Sequence, residues 1–250
     1  MDPVLVGTSL TKKYGGFTAL NDVSFELHHG KTLGIVGESG SGKSTLGRII
    51  MRLLKPTSGS IQLAGSDFFR LSGGALKKAR QRIQLVPQDP RTSLNPTMSV
   101  KSSLQFQLSA QAVPRANWTE TLERTLDQVS LPMNYLNAMP NELSGGQAQR
   151  IAIARAILNN PEVLVCDEAV SALDKSVQAQ VLNTLSNLQR DTGVAMVFIS
   201  HDLAVVEHMA DTMLVLKQGQ VVEYGTTRDI LDNPSDEYTR TLLAARSLVH

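Results

Sequence analysis

Cysteine is almost absent from these 250 residues: Cys166 stands alone. A single thiol excludes an internal disulfide and any cysteine-rich zinc or iron–sulfur site, and it fits a reducing compartment. A charge excess is missing as well. Lys and Arg total 24 against 23 Asp and Glu, a formal net charge of +1. A nucleic-acid binder usually carries a strong basic excess, so no nucleic-acid partner is expected. No stretch reaches about 18 consecutive apolar residues, so no membrane-spanning helix is expected. Met1 to Leu10 has no basic patch followed by an apolar run, so no secretory signal is expected either. Internal repeats and low-complexity tracts are also lacking. What remains is an ordinary globular balance, 42% hydrophobic and 19% charged, enough for one large domain or two small ones.

The pattern of apolar residues divides the chain in three. In the first third, Ser24–Leu27 alternates, and His28-His29-Gly30-Lys31 reads as a hairpin turn. Leu33–Val36 is an apolar run suited to a strand buried on both faces. After a Gly/Ser-rich loop, Leu46, Ile49, Ile50 and Leu53 recur at helical spacing, with Pro56 and Gly59 expected to stop the helix. Ile61 with Leu63, and Ile83 with Leu85 and Val86, mark further strands. The middle, about 97–160, changes to helical spacing: Trp118, Leu122, Thr125, Leu126 and Val129 share one face, and Ile151, Ala154, Arg155 and Leu158 another. The last third alternates strand and helix: Val163–Cys166, a helix through Val177, Val181, Leu185 and Leu188, the strand Ala195–Ile199, and a short helix from Asp202. Met213–Leu216 and Val221-Val222 flank a hairpin signal, Lys217-Gln218-Gly219-Gln220. Apolar strands alternating with helices predict a mainly parallel sheet covered by helices.

Two elements carry chemistry on their own. Gly37, Glu38, Ser39, Gly40, Ser41, Gly42, Lys43 and Ser44 match G-x-x-x-x-G-K-[ST], with a buried strand before and an amphipathic helix after. Glycines let such a backbone curl so that successive N–H groups point at one anion, and the following helix adds its positive end. Lys43 is placed to reach the β- and γ-phosphates, and the Ser44 hydroxyl to bind Mg²⁺. The second element is Val163–Cys166 followed by Asp167 and Glu168: an apolar strand ending in two carboxylates at the ligand-binding edge of an open α/β sheet. Asp167 is expected to hold Mg²⁺ through water, and Glu168 to orient the attacking water.

Leu143-Ser144-Gly145-Gly146-Gln147 completes a set that resembles the ATP-binding subunit of ABC transporters, whose signature is L-S-G-G-Q. The resemblance covers nearly the whole chain, in order. It implies an α/β fold: a P-loop ATPase core with a mainly parallel sheet, an N-terminal antiparallel β subdomain and a helical signature subdomain at about 97–160. All of this would lie within one nucleotide-binding domain spanning 1–250. Tyr14 resembles the aromatic that stacks on adenine, Gln88 the Q-loop glutamine, Ser171-Ala172-Leu173-Asp174 the D-loop and His201 the switch histidine. The resemblance implies ATP and Mg²⁺ as ligands: the loop from Gly37 to Thr45 on the phosphates, Ser44, Gln88 and Asp167 on the metal, and Glu168 with His201 in catalysis. The signature would act in trans, across a dimer with a second ATPase subunit, identical or homologous. Physically, Ser144 is a plausible N-cap, and Gly145 and Gly146 would leave their N–H groups bare for a phosphate.

The 100 positions from Ser44 to Ser144 leave no room for a long inserted coiled coil, which weighs against a soluble ATPase acting on nucleic acid or ribosomes. A separate exporter subunit is the other alternative. Gln88-Asp89-Pro90 followed by Ser93-Leu94-Asn95-Pro96, and the end at Asn233-Pro234 with Tyr238-Thr239, resemble importers of short peptides, nickel or metal chelates. Ending at His250 with one cysteine leans toward the nickel or chelate type. Ala148 and Ala169 depart from the family's usual basic residue and proline. The expected partners are transmembrane permease subunits and, indirectly, an extracytoplasmic solute-binding protein. The expected location is peripheral, on the cytoplasmic face of the inner membrane.

Overall fold

The computed structural model describes residues 2–247; Met1 and residues 248–250 of the expected single unit lie outside them. Strand β1 (Leu5–Tyr14) turns through Gly15 and Gly16 into β2 (Phe17–Leu27). Then come β3 (Thr32–Val36), α1 (Lys43–Ile50), β4 (Ser58–Leu63), β5 (Ser66–Asp67), α2 (Gly73–Arg82) and β6 (Ile83–Val86). The middle is helical: α3 (Pro90–Ser93), α4 (Val100–Ala110), α5 (Trp118–Gln128) and α6 (Gly145–Ile157). The last third alternates β7 (Val163–Asp167), α7 (Lys175–Thr192), β8 (Ala195–Ile199), α8 (Leu203–Met209), β9 (Thr212–Lys217) and β10 (Gln220–Thr226). Helices α9 (Thr227–Asp232) and α10 (Glu237–Ser247) follow.

These strands form two sheets. The smaller, in the order β2-β1-β4-β5, is antiparallel throughout. The larger runs β10-β9-β3-β8-β7-β6; its first five strands from the β6 edge are parallel, and β10 closes the other edge antiparallel to β9. Side chains alternate across a strand, and here both sides are buried. Cys166, Phe198 and Val215 enter one core with the helices α4 to α8. Val165, Val197 and Leu214 enter a second core with α1 and the small sheet. Each fully buried Leu, Ile or Phe stabilises the fold by roughly 1.5–3 kcal/mol, which is why these strands read as continuous apolar runs.

Three expectations need correction. His28–Lys31 is a crossing and not a hairpin turn, because β2 and β3 belong to different sheets. Helix α1 ends at Ile50, well before Pro56: Arg52 adopts φ 52° and the Leu53 N–H closes back on the Arg48 carbonyl at 2.8 Å. Leu53 is therefore off the helix and exposed. Between the strands read at Ile61 and Ile83 lies α2, a helix that buries only Ala79 and so has almost no apolar stripe to read.

Candidate functional site: a cleft over the phosphate loop

The carboxyl ends of β3, β7 and β8 meet at one edge of the large sheet, and each is followed by residues singled out from the sequence. Gly37 to Gly42 follow β3, Glu168 follows β7, and Ser200 with His201 follow β8. Such an edge is where open α/β sheets bind ligands. A cleft of about 600 Å³ lies there, lined by Phe17, Ala19, Ser39, Gly40, Gly42, Lys43, Ser44, Thr45, Glu168 and His201.

The loop is held by its own backbone. Gly42 has φ 110°, and a Cβ there would lie 2.8 Å from the Ala19 carbonyl oxygen, so only glycine fits this turn into α1. The Ser41 N–H donates to the Glu38 carbonyl at 3.1 Å, and the Glu38 N–H donates to the Tyr238 hydroxyl of α10 at 3.0 Å. These two amides are thus occupied, which narrows the expectation that successive N–H groups all face an anion. Gly37, Glu38 and Ser41 are not among the residues lining the cleft. The buried Ser41 hydroxyl oxygen has no partner among the described residues. Lys43 folds its ammonium onto the carbonyls of Gly37 (2.7 Å) and Glu38 (2.8 Å). Burial lowers its pKa, opposed by the nearby charges of Glu168, Asp167 and Glu38.

Facing the loop is a carboxylate cluster. Burial raises the Asp167 pKa, and the neighbouring Glu168 charge pushes the same way, while Arg48 and Lys43 pull it down. Glu168 sits at φ 49°, a left-handed conformation a non-glycine residue adopts at a cost. It is pinned there: its N–H donates to the Ile199 carbonyl at 2.9 Å, and its own carbonyl accepts from the Ser171 hydroxyl at 3.0 Å. This twist brings its carboxylate to two further residues. Gln88 Nε2 donates to Oε2 at 3.0 Å and to the Ser171 hydroxyl at 3.2 Å, and His201 Nδ1 lies 3.5 Å from Oε1. Three segments far apart in sequence, at Gln88, at Glu168 with Ser171, and at His201, thereby form one cluster. The backbone before Gln88 is held from α6, where the buried Gln149 donates to the Pro87 carbonyl at 3.1 Å. Farther along α6, the Arg155 guanidinium donates to the Ser93 carbonyl. Sequence reasoning missed both tethers.

Leu143 to Gln147 do not line the cleft. Ser144 caps α6 as expected: its hydroxyl accepts from the Gln147 N–H at 3.3 Å, and the Gln147 side chain accepts from the Ser144 N–H at 2.8 Å, a reciprocal capping box. The sequence reading of the paired glycines is incomplete, however. A Cβ on Gly146 would lie 2.2 Å from Val177 Cγ1, so this glycine lets α6 and α7 touch. Gly145 has less need of it, its nearest neighbour being Leu173 Cδ2 at 3.2 Å. In the segment Ser171–Asp174, Asp174 caps α7, accepting from the Val177 N–H at 3.0 Å and the Ser176 hydroxyl at 2.6 Å; these bonds hold its pKa below the usual value. Ala172 precedes Leu173 in this turn and is exposed.

Tyr14 is exposed at the end of β1 and does not line the cleft. Its cross-strand partner Phe17 does, and Phe17 is a site residue the sequence reading passed over. Its signal was faint: a single aromatic three positions after Tyr14, across two glycines.

A glycine-cradled anion site beside acidic groups at a parallel sheet's edge defines a nucleotide-phosphate-binding protein. Residues 20–171 match the family model described as ABC transporter, and the chain belongs to that family. It is 44% identical to the di/tripeptide transport ATP-binding protein DppF of Pseudomonas aeruginosa, over 98% of this chain and 76% of that protein. It is 42% identical to the oligopeptide transport ATP-binding protein OppF of Salmonella typhimurium, over 91% of this chain and 69% of that one. Among solved structures it resembles CbiO1 of Clostridium perfringens, part of the ABC transporter complex CbiONQ. The TM-score is 0.86 at 25% identity, over 100% of this chain and 98% of that one. It also resembles the ADP- and phosphate-bound post-hydrolysis dimer of the cassette MJ0796. There the TM-score is 0.77 at 30% identity, over 90% and 99% of the two chains.

Proposed function

We propose that this chain is the ATP-hydrolysing subunit of an importer of short peptides. The observation that carries the chemistry is the Glu168 carboxylate, pinned in a strained conformation opposite Lys43 and tied to Gln88 and His201. The substrate class rests on the relatives, which are named for di/tripeptide and oligopeptide transport. They favour the peptide branch of the expectation over nickel or metal chelates.

In this reading the triphosphate lies in the loop from Gly37 to Thr45. Lys43 exchanges its two carbonyl partners for phosphate oxygens, and the adenine falls at the aromatic end of the cleft, where Tyr14 pairs with Phe17. The donor set suits Mg²⁺. Among the described residues no three His, Cys, Asp or Glu side chains stand together as a metal cluster, whereas a nucleotide-bound Mg²⁺ needs only one or two protein oxygens beside phosphate and water. Ser44, Gln88 and Asp167 would supply them. When bound, the ion neutralises charge building on the β- and γ-phosphates. Glu168 accepts a hydrogen bond from the attacking water and aligns it, and His201 holds the γ-phosphate side. Ser144, Gly145, Gly146 and Gln147 serve the nucleotide of a second subunit, and Leu143, buried in the core with the helices, anchors that turn. The chain is one nucleotide-binding domain spanning 1–250. No helix among the described residues is long and apolar enough to cross a membrane. It would work peripherally, at the cytoplasmic face of the inner membrane, on transmembrane permease subunits fed by an extracytoplasmic solute-binding protein.

The test is uptake of labelled di-, tri- and oligopeptides by cells lacking this chain. Loss of peptide uptake, restored by the wild-type chain and not by Lys43→Ala, is the expected result. Normal peptide uptake with a new sensitivity to a toxic compound would make it an exporter subunit.

A further inference from the structure

We propose that Tyr238 is a positioning residue of the phosphate loop, holding the peptide against which Lys43 rests; this depends on reading the cleft as the ATP site. The Glu38 N–H donates to the Tyr238 hydroxyl at 3.0 Å, and the Lys43 ammonium donates to the Gly37 carbonyl at 2.7 Å. That amide and that carbonyl belong to one peptide unit, and in a planar trans peptide they point opposite ways. The unit is therefore gripped from both sides, by a phenol of α10 on one and by the lysine of the motif on the other. The Glu38 carbonyl, next along the chain, takes the second Lys43 bond at 2.8 Å. A rotation of the Gly37–Glu38 peptide would break the Tyr238 bond and withdraw the Gly37 carbonyl from Lys43 together.

The phenol is placed by contacts that do not involve the loop. Tyr238 is buried, and the ammonium of Lys217, at the end of β9, lies 4.8 Å from its ring centroid, within cation–π range. The segment leading into α10 is fastened to β10: the Glu223 carboxylate accepts from the Ser235 N–H at 2.8 Å and from the Ser235 hydroxyl at 2.9 Å. The Asp236 carboxylate in turn accepts from the Tyr238 N–H at 2.8 Å. Burial raises the Tyr238 pKa, so at neutral pH the loop amide meets an uncharged hydroxyl. The family match ends at residue 171, so this support comes from outside the matched region. Without the hydroxyl the Glu38 N–H would have to turn to water, and a phosphate would bind a loop that it must first order. Such ordering costs affinity. It weighs equally on the ground and transition states, so it shows in KM and not in kcat.

The experiment is a binding titration of the full chain with ATP and with tripolyphosphate, each with Mg²⁺, beside amide hydrogen exchange of the nucleotide-free protein. Tyr238→Phe keeps the ring and removes only the hydroxyl. It is expected to weaken both ligands in parallel by about 2- to 10-fold, the net worth of one neutral hydrogen bond. ATP turnover should show KM raised by the same factor at unchanged kcat. The Glu38 amide should exchange faster while the amides of α1 keep their wild-type rates, which separates positioning from a general loss of fold. Unchanged or tighter ATP affinity, a loss for ATP alone, a fall in kcat at unchanged KM, or α1 amides loosened as much as Glu38 would overturn the assignment. If wild type binds both ligands and Tyr238→Phe binds them equally well, this proposal falls and the cleft reading stands. If wild type binds neither ATP nor tripolyphosphate, the cleft reading falls and this proposal with it.

Discussion

The phosphate loop and the signature turn both join a glycine-containing segment to the start of a helix, yet they are built to different ends. At Gly37–Ser44 the glycine at the helix entry is forced by φ 110° and by a backbone oxygen 2.8 Å from where a Cβ would stand, and the segment opens onto a cleft. At Ser144–Gln147 the helix is closed by its own capping box, Gly146 is forced by a side chain of α7, and no residue lines the cleft. The first shapes a surface for a ligand within this chain. The second closes its helix end with its own bonds. A glycine pair in a motif can therefore mean an exposed backbone or a close helix contact, and only the neighbours distinguish them.

The largest effect expected on this contrast is at the carboxylate facing the loop. Glu168→Gln keeps the side chain's size and one acceptor and should lower ATP turnover by about 10²–10⁴-fold, the range for a positioned acid or base. Equilibrium titration should show ATP still bound, since Lys43, Ser44 and Asp167 are untouched; wild-type turnover would move the catalytic role, with His201 next to test. Lys43→Ala removes the charge at the loop. With about 1.5–3 kcal/mol per charge-assisted contact, nucleotide affinity should fall at least about tenfold by titration. An unchanged affinity would erase the distinction drawn between the two segments. The smallest effect belongs to the signature turn. Gly146→Ala gains up to about 1 kcal/mol of helix propensity but overpacks against Val177 at a cost of about 1–3 kcal/mol. The midpoint of denaturant unfolding should drop, and Gly146→Ala with Val177→Ala together should recover part of the loss. No recovery would mean that the loss does not arise from the contact with Val177.

Where the sequence was legible, the physics was local or strictly periodic. The loop motif, the buried strands ending at Val36, Asp167 and Ile199, the hairpin at 217–220 and the helix through Val177 and Leu188 all follow from short-range pattern. The illegible parts have identifiable causes. Strand β1 breaks its alternation through register shifts between Gly7 and Leu10 and again before Lys13. Helix α2 buries only Ala79, and the α1 stop depends on Arg52 turning left-handed rather than on a proline. In the site, Lys43, Ser44, Glu168 and His201 could be named because type and spacing point to chemistry. Phe17, Gln149 and Arg155 could not, because what places them is tertiary: a cross-strand pairing and two reaches of more than sixty positions to the carbonyls flanking the Gln88 segment.

The hydrogen bond between the Glu38 amide and the Tyr238 hydroxyl spans 200 positions. A peptide running from β3 through α1 would contain every residue of the loop motif and would lack this bond. The motif is written in eight consecutive letters, but one corner of its shape is supplied by a helix near the other end of the chain. In genetic terms, a substitution at Tyr238 acts directly on the loop motif 200 positions away.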